Sequence, residues 1–159
     1  MASGPRRLIG LKLALDTLGV PARVDTFQDR LALQKATYLA QAAGLQLGYR
    51  YSWYLKGPYS PDLTRDYFRL VEDPAIGSGF VLGADHLARL ERLAEVARPA
   101  PGADLERPEW LELLASLHYL IRTLRKDREG AAAVIRRAKP HLAGYIDEGF
   151  SALATAALI

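Results

Sequence analysis

The segment that most restricts the fold of this chain is 109-EWLELLASLHYLIRTL-124, a stretch that is apolar almost all round. A helix with a single apolar stripe lies on the surface of a core, whereas a helix that is apolar on every side must be covered on every side. The segment is also shorter than the roughly 20 apolar residues that span a bilayer. We therefore expect residues 109–124 to form the central, most buried helix of a soluble domain.

Apolar residues at helical spacing predict further helices on both sides of this segment. Phe27 and Leu31 are expected on the buried face of one of them, and Phe68 is expected to pack beside the buried face of another. The chain of 159 residues is long enough for one continuous core. We predict a mainly α fold, a single-domain helical bundle of about seven helices over 1–159 with a small β element. The predicted helices are 7–18, 25–44, 61–72, 86–98, 109–124, one of about eight residues within 125–140, and roughly 141–157.

The β element is predicted where the periodicity of the sequence changes. In 49-YRYSWYLKG-57, four apolar residues alternate with more polar ones, and aromatic side chains are enriched. A period of two with this composition indicates a strand over 49–56. Its buried face is expected to carry Tyr49, Tyr51, Trp53 and Leu55, and Gly57-Pro58 is expected to end it. A second short strand near 79–82 is a further option.

The helix that follows this strand predicts an exposed recognition surface. Ser60 is a good N-cap, and Pro61 fits the first helical position. The first N–H groups of a helix lack partners within it, so they can hold an anion. Tyrosine and arginine are also the residues that most often anchor protein interfaces. The side chains expected to point outward beside this helix start are Arg50, Tyr54, Lys56 and Tyr59.

The composition restricts both the chemistry and the partners. The chain has no cysteine, which excludes disulfides, thiolate metal sites and a cysteine nucleophile. It also has no asparagine and a single methionine, a composition typical either of a thermophile or of a GC-rich genome. The net charge is +3, and residues 1–70 carry ten basic and five acidic side chains, a balance that suits an acidic or phosphate-bearing partner and equally suits solubility alone. The N-terminal segment is interpreted as an ordinary first helix, so we expect a cytoplasmic protein without membrane contact.

No pattern in the sequence predicts catalysis. The three histidines lie far apart, and none has a carboxylate or second histidine at metal-ligand spacing. His118 is interpreted as a core histidine with a hydrogen-bond partner. Asp62 and Asp66 share a helix face with Arg65 and Arg69, which favours a solvated ion-pair surface. Phosphate-binding glycine loops and nucleophile elbows are missing. We therefore expect no enzyme activity, no metal and no cofactor.

One stretch, 33-LQKATYLAQAAGLQLGYRYSWYLKGPYSPDL-63, carries a resemblance to a known family. It resembles the signature of the bacterial and archaeal group related to the SocA/Panacea antitoxin domains, and it is most similar to the YwgA-like branch. The shared pattern is a Leu-Gln-Lys-x-x-Tyr-Leu helix, a Gly-Tyr-x-Tyr start to an aromatic strand, and Gly-Pro-Tyr-Ser before a helix. The matching positions are Leu33, Gln34, Lys35, Tyr38, Leu39, Gly48, Tyr49, Tyr51, Tyr54, Gly57, Pro58, Tyr59 and Ser60.

The resemblance implies a mostly helical domain that acts by binding. Panacea domains neutralise toxins by binding them, and SocA also delivers a toxin to a protease. Gln34 and Lys35 fall on the helix beside the strand. They are expected either to orient the turn at Gly57 and Pro58 through hydrogen bonds to its backbone or to contact a ligand.

Two functional hypotheses follow from these patterns. The first is a non-enzymatic interaction module, an antitoxin-like or adaptor component of a defence or toxin–antitoxin system, that binds a partner protein through Tyr54, Lys56, Tyr59, Arg65 and Arg69. The second is a nucleic-acid-binding regulator that contacts phosphates through Arg50, Lys56, Arg65 and Arg69, with the helix start at Ser60 as an additional anion site. The apolar segment 109–124 could instead be covered by a second copy of the chain, which would make the protein a homodimer.

Overall fold

The computed structural model of the protein describes residues 4–159, and it has the predicted mainly α architecture. Along the chain, a two-stranded antiparallel sheet comes between the second and third helices. A short 3₁₀ helix, Pro140–Tyr145, precedes the last α-helix. The elements in chain order are α1 (Pro5–Leu18), α2 (Phe27–Ala42), β1 (Ser52–Tyr54), β2 (Gly57–Tyr59), α3 (Pro61–Glu72), α4 (Ala84–Ala94), α5 (Arg107–Arg122), α6 (Arg128–Ala138) and α7 (Ile146–Thr155).

The helix α5 lies at the centre of the fold, as its apolar sequence predicts. It is buried without interruption from Trp110 to Leu117, and α2, α6, α7 and β2 all pack against it. Because its apolar surface is covered within the chain, this helix does not offer an apolar face to a second copy. The sequence-based argument for a homodimer through 109–124 therefore loses its basis.

Local sequence signals explain where most helices begin and end. Thr26 and Asp29 form a reciprocal capping box at the start of α2. Pro61 begins α3, which has the predicted bounds. One predicted helix is wrong in form, because residues 141–157 do not make a single helix. The chain first forms the 3₁₀ helix after Pro140, and α7 begins only at Ile146.

The strand prediction is wrong in extent, because the chain turns back after three paired residues. Ser52–Tyr54 pairs with Gly57–Tyr59 in a hairpin, with Tyr54 opposite Gly57 and Leu55-Lys56 as the turn. Gly57-Pro58 thus forms the second strand instead of ending the first. The second strand considered near 79–82 does not form, and Phe80 and Val81 are exposed there. Leu55 was expected on the buried face, but its position in the turn leaves it 81% exposed.

Gly57 allows the hairpin to pack directly on α5. Its φ of +92° lies in the left-handed region that side chains disfavour. A Cβ built on Gly57 would overlap the hydroxyl of Ser116 on α5. Both constraints require glycine at this position. Pro58 is compatible with the second strand because this strand lies at the sheet edge, where a missing N–H removes no ladder hydrogen bond.

Candidate functional site

Two buried side chains of α2 hold the junction between the hairpin and α3. The side-chain amide of Gln34 donates to the carbonyl of Ser60 at 2.8 Å and accepts from the N–H of Ser60 at 3.1 Å. The ammonium of Lys35 donates to the carbonyl of Pro58 at 2.5 Å. Gln34, Lys35 and Ser60 are all almost fully buried. The main chain at the hairpin's end is thus attached to α2 by hydrogen bonds that cannot readily exchange with water.

Two further ionisable side chains lie beneath the hairpin, and the sequence did not reveal them as part of the site. The ammonium of Lys139, at the end of α6, donates to Glu112 of α5 at 2.7 Å and to the carbonyl of Leu55 at 3.0 Å. We call Lys35, Glu112 and Lys139 the buried charge cluster, because each has at most 2% of its surface exposed. The sequence does contain one signal for this cluster. Glu112 is a carboxylate in the middle of a helix that is predicted to be buried, so it requires a buried cation as its partner.

The electrostatic setting lowers the pKa of Lys35 to about 7. Burial is the main cause, because removal from water disfavours the charged ammonium. The negative charge of Glu112 opposes this shift, and the positive charge of Lys139 adds to it. Lys35 therefore changes its protonation state close to neutral pH, directly under the hairpin.

A groove lies beside Gln34 and Lys35, between the first turns of α2, the hairpin turn and α3. Its volume is about 490 Å³. Its lining includes Gln34 and Lys35 of α2 and Thr64 of α3. We call it the aromatic groove and define it by its apolar walls, which are Phe27, Leu31, Tyr54, Leu55, Tyr59, Tyr67 and Phe68.

Several large apolar side chains around the aromatic groove are uncovered. Leu55 is 81% exposed, Tyr54 60%, Phe27 51% and Phe68 44%. Phe27 and Phe68 were expected on or beside buried helix faces, so this part of the sequence interpretation is wrong. Single exposed apolar residues are ordinary, but several grouped around one concavity are typical of an interaction site.

All charged side chains that line the aromatic groove are basic. They are Arg30 of α2, Lys35 beneath the hairpin and Lys56 in its turn. Within residues 4–159, none of the three has a carboxylate at ion-pair distance. One guanidinium nitrogen of Arg30 donates to the carbonyl of Val24 at 2.7 Å. The groove therefore combines apolar walls with basic side chains that have no carboxylate at ion-pair distance in the described part of the chain.

The structure brings some of the sequence-predicted site residues together and separates others. Tyr54, Lys56 and Tyr59 line the aromatic groove, whereas Arg50, Arg65 and Arg69 are exposed outside it. Arg65 forms an ion pair with Asp62, and Arg69 lies 3.8 Å from a carboxylate oxygen of Asp66.

Ser60 does not form the exposed anion site that the helix start suggested. It is 0% exposed, and its N–H is already bonded to Gln34. Its hydroxyl makes no cap hydrogen bond to α3, and it has no partner among the residues that the structure describes.

Asp66 also departs from the solvated ion-pair surface that its spacing suggested. Its carboxylate is 5% exposed and accepts from the hydroxyl of Tyr49 at 2.6 Å and from Arg7 at 2.9 Å. The pKa of Tyr49 is raised, first by burial and then by this hydrogen bond to Asp66. Asp66 therefore joins α1, the segment before the hairpin and α3, and it is a structural residue.

The other titratable groups of the described chain do not form a second site. A ring nitrogen of His118 lies 2.7 Å from the hydroxyl of Tyr38, and burial lowers the pKa of His118 to about 4. Among residues 4–159, no group of three or more His, Asp or Glu side chains is placed to hold a metal ion. No helix in this range is both long enough and apolar enough to cross a membrane.

Comparison of the chain with protein-family models, with curated proteins and with solved structures gave no match. The geometry of the aromatic groove and of the buried charge cluster beneath it is therefore the basis for the functional argument.

Proposed function

We propose that this chain is a non-enzymatic interaction module that binds a partner protein through the aromatic groove. The observation that carries the proposal is the group of exposed apolar side chains around the groove, Phe27, Tyr54, Leu55 and Phe68. Removing such surface from water contributes about 25 cal/mol per Å² of apolar area. A partner that covers these side chains would gain this free energy, which the isolated chain leaves unused.

The exposure of the groove's rim favours a protein over a small molecule as the partner. Sites for small ligands are concave, largely pre-formed, and bury most of the ligand's surface. Here Leu55 and Tyr54 project at the hairpin turn, with 81% and 60% of their surfaces exposed. Projecting side chains of this kind are suited to entering a cavity or groove on a second protein, as interface anchors do.

The support beneath the hairpin favours tight binding, because it fixes the main chain of the hairpin before the partner arrives. Gln34, Lys35 and Lys139 together bond the main chain at Leu55, Pro58 and Ser60. A rim held in this way loses little conformational entropy on association, so more of the contact energy appears as affinity.

The resemblance to the SocA/Panacea-related group supplies the class of partner for this proposal. We assign the chain an antitoxin-like or adaptor role, with a toxin or another component of a defence system as the partner protein. The apolar walls around Tyr54 and Tyr59 support such a partner more than they support nucleic acid. Two of the four cations of the nucleic-acid hypothesis, Arg65 and Arg69, also lie close to carboxylates of their own helix.

The proposal is tested by a matched pair of substitutions at exposed aliphatic residues. Leu55→Asp alters the aromatic groove, whereas Val81→Asp alters a residue outside it that is 89% exposed. Both changes should leave the free energy of unfolding within about 0.5 kcal/mol, because exposed positions tolerate substitution. Each tagged variant is used to recover partners from the host in 200 mM salt, with and without nuclease.

The expected result is a stoichiometric protein partner that the unchanged chain and Val81→Asp recover and that Leu55→Asp loses, irrespective of nuclease. If Leu55→Asp recovers the same partner at the same yield, the groove is not the binding site. Recovery of nucleic acid alone would support the regulator hypothesis instead, because phosphate-driven binding depends on charge and not on Leu55.

A further inference from the structure

We propose that the aromatic groove accepts a partner segment in which an apolar side chain lies close to a carboxylate. This inference rests on the proposed function and adds the chemistry of the partner to it. It is carried by the charge of the lining: of the side chains around the groove, three are basic and none is acidic. The chain has 18 acidic residues in all, so the groove is selectively free of them.

The positive charges come from different elements. Arg30 lies on α2 one turn after Phe27, and Lys56 adjoins Leu55 in the hairpin turn. Each cation is therefore next to an exposed apolar side chain that lines the same groove. A segment that inserts an apolar side chain between these elements would place its neighbouring residues within reach of one cation or the other.

The third cation has unused hydrogen-bonding capacity. An ammonium has three donors, and Lys35 makes one hydrogen bond, to Pro58, within the described chain. Lys139, by contrast, bonds both Glu112 and the carbonyl of Leu55. Lys35, when protonated, therefore adds positive charge at the groove, and Glu112 offsets this charge only from beyond ion-pair distance.

The apolar walls increase the effect of these charges. Coulombic attraction grows as the local dielectric constant falls, and a partner that covers the walls excludes water from the groove. Charges arranged in this way contribute mainly specificity and association rate. Segments with an acidic residue would thus be selected over otherwise similar neutral or basic segments. A nucleic-acid duplex fits less well, since its phosphate backbone would leave the apolar walls uncovered.

The test uses a phage-displayed library of random 12-residue peptides, selected on the full chain and counter-selected on Leu55→Ser, a neutral change that adds no charge to the groove. We expect the selected peptides to carry Asp or Glu within four residues of a large apolar side chain. Synthetic copies in which that acid is replaced by its amide should bind about tenfold more weakly. Lys56→Gln should weaken the acidic peptides up to about fivefold, the range of an exposed ion pair. The amide copies should not respond to Lys56→Gln, and Arg137→Gln, an exposed cation outside the groove, should change neither.

The outcomes separate this inference from the proposed function. Peptides that depend on Leu55 but have no acidic residue, or that keep their affinity as amides, would overturn the charge argument and leave the groove as a binding site. If selection yields no peptide that distinguishes the unchanged chain from Leu55→Ser, both the groove assignment and the charge argument are overturned. Lys56 lies in an exposed turn, so its substitution tests the charge without unfolding the chain.

Discussion

Replacing Glu112 with glutamine should destabilise the protein more than replacing Lys139 with methionine. The net charge of the buried charge cluster lies between zero and +1 at pH 7, because the pKa of Lys35 is about 7 and Lys139 pairs with Glu112. Glu112→Gln leaves the buried ammonium of Lys139 without its acid, and an unpaired buried charge of this kind costs about 3–5 kcal/mol. Lys139→Met leaves Glu112 near Lys35, and the loss of the opposing charge of Lys139 favours the protonated form of Lys35, so a positive charge remains to balance the carboxylate. The main loss is then the part-buried hydrogen bond from the ammonium to the carbonyl of Leu55, about 1.5–3 kcal/mol for a hydrogen bond with a charged group.

The assay is chemical unfolding at pH 7, with the free energy of unfolding extrapolated to water. Glu129→Gln is the matched acid-to-amide control, because the side chain of Glu129 is 83% exposed and its one ion pair within residues 4–159 is with Arg136 at the surface. It should change the free energy of unfolding by no more than about 0.5 kcal/mol. If Glu112→Gln costs no more than Lys139→Met, the reasoning from the net charge of the cluster is refuted.

Two further predictions concern the support of the hairpin. The pKa of Lys35 is about 7 in the folded chain, below its value in the unfolded chain. At a pH between these two pKa values the unfolded chain binds more protons than the folded chain. The folded state therefore gains stability as the pH rises through this range. From pH 7 to pH 9 this gain in stability should be about 2 kcal/mol larger in the unchanged chain than in Lys35→Met, as measured by unfolding at each pH. Lys126→Met changes an exposed lysine and should retain the full gain. Equal gains in all three proteins would contradict the lowered pKa of Lys35. Gly57→Ala should cost about 1–3 kcal/mol, because alanine is strained at φ +92° and its Cβ meets the Ser116 hydroxyl. Adding Ser116→Ala should restore part of the lost free energy of unfolding, measured by thermal or chemical unfolding. If Gly57→Ala does not lower the free energy of unfolding, the hairpin can move away from α5.

The sequence predicted the parts of the fold that depend on local or periodic signals. A helix that is apolar on every side has to be buried, and α5 is buried. Pro61 at the first helical position located the start of α3. The hairpin was missed because Gly57 and Pro58 are read as signals that end a strand. Only the packing of the hairpin against α5 shows why a glycine with positive φ and an edge-strand proline are suitable there.

The candidate site was only partly predictable. Tyr54, Lys56 and Tyr59 were singled out from the aromatic stretch, and all three line the groove. Phe27 and Phe68 were assigned to buried faces because helical periodicity tells which residues share a side and not whether another element covers that side. The pairing of Glu112 with Lys139 joins residues that are 27 positions apart, so it depends on how α5 and the end of α6 meet.

The central claim, that the aromatic groove is covered by a partner protein, is tested most directly by hydroxyl-radical footprinting of the complex. The method measures the solvent exposure of individual side chains, so the chain is compared free and bound to the partner recovered from its host. We predict that oxidation falls on binding at Phe27, Tyr54, Leu55 and Phe68, while Phe80 and Val81, exposed apolar side chains outside the groove, keep their rates. Unchanged oxidation of the four groove residues in a saturated complex would contradict the account.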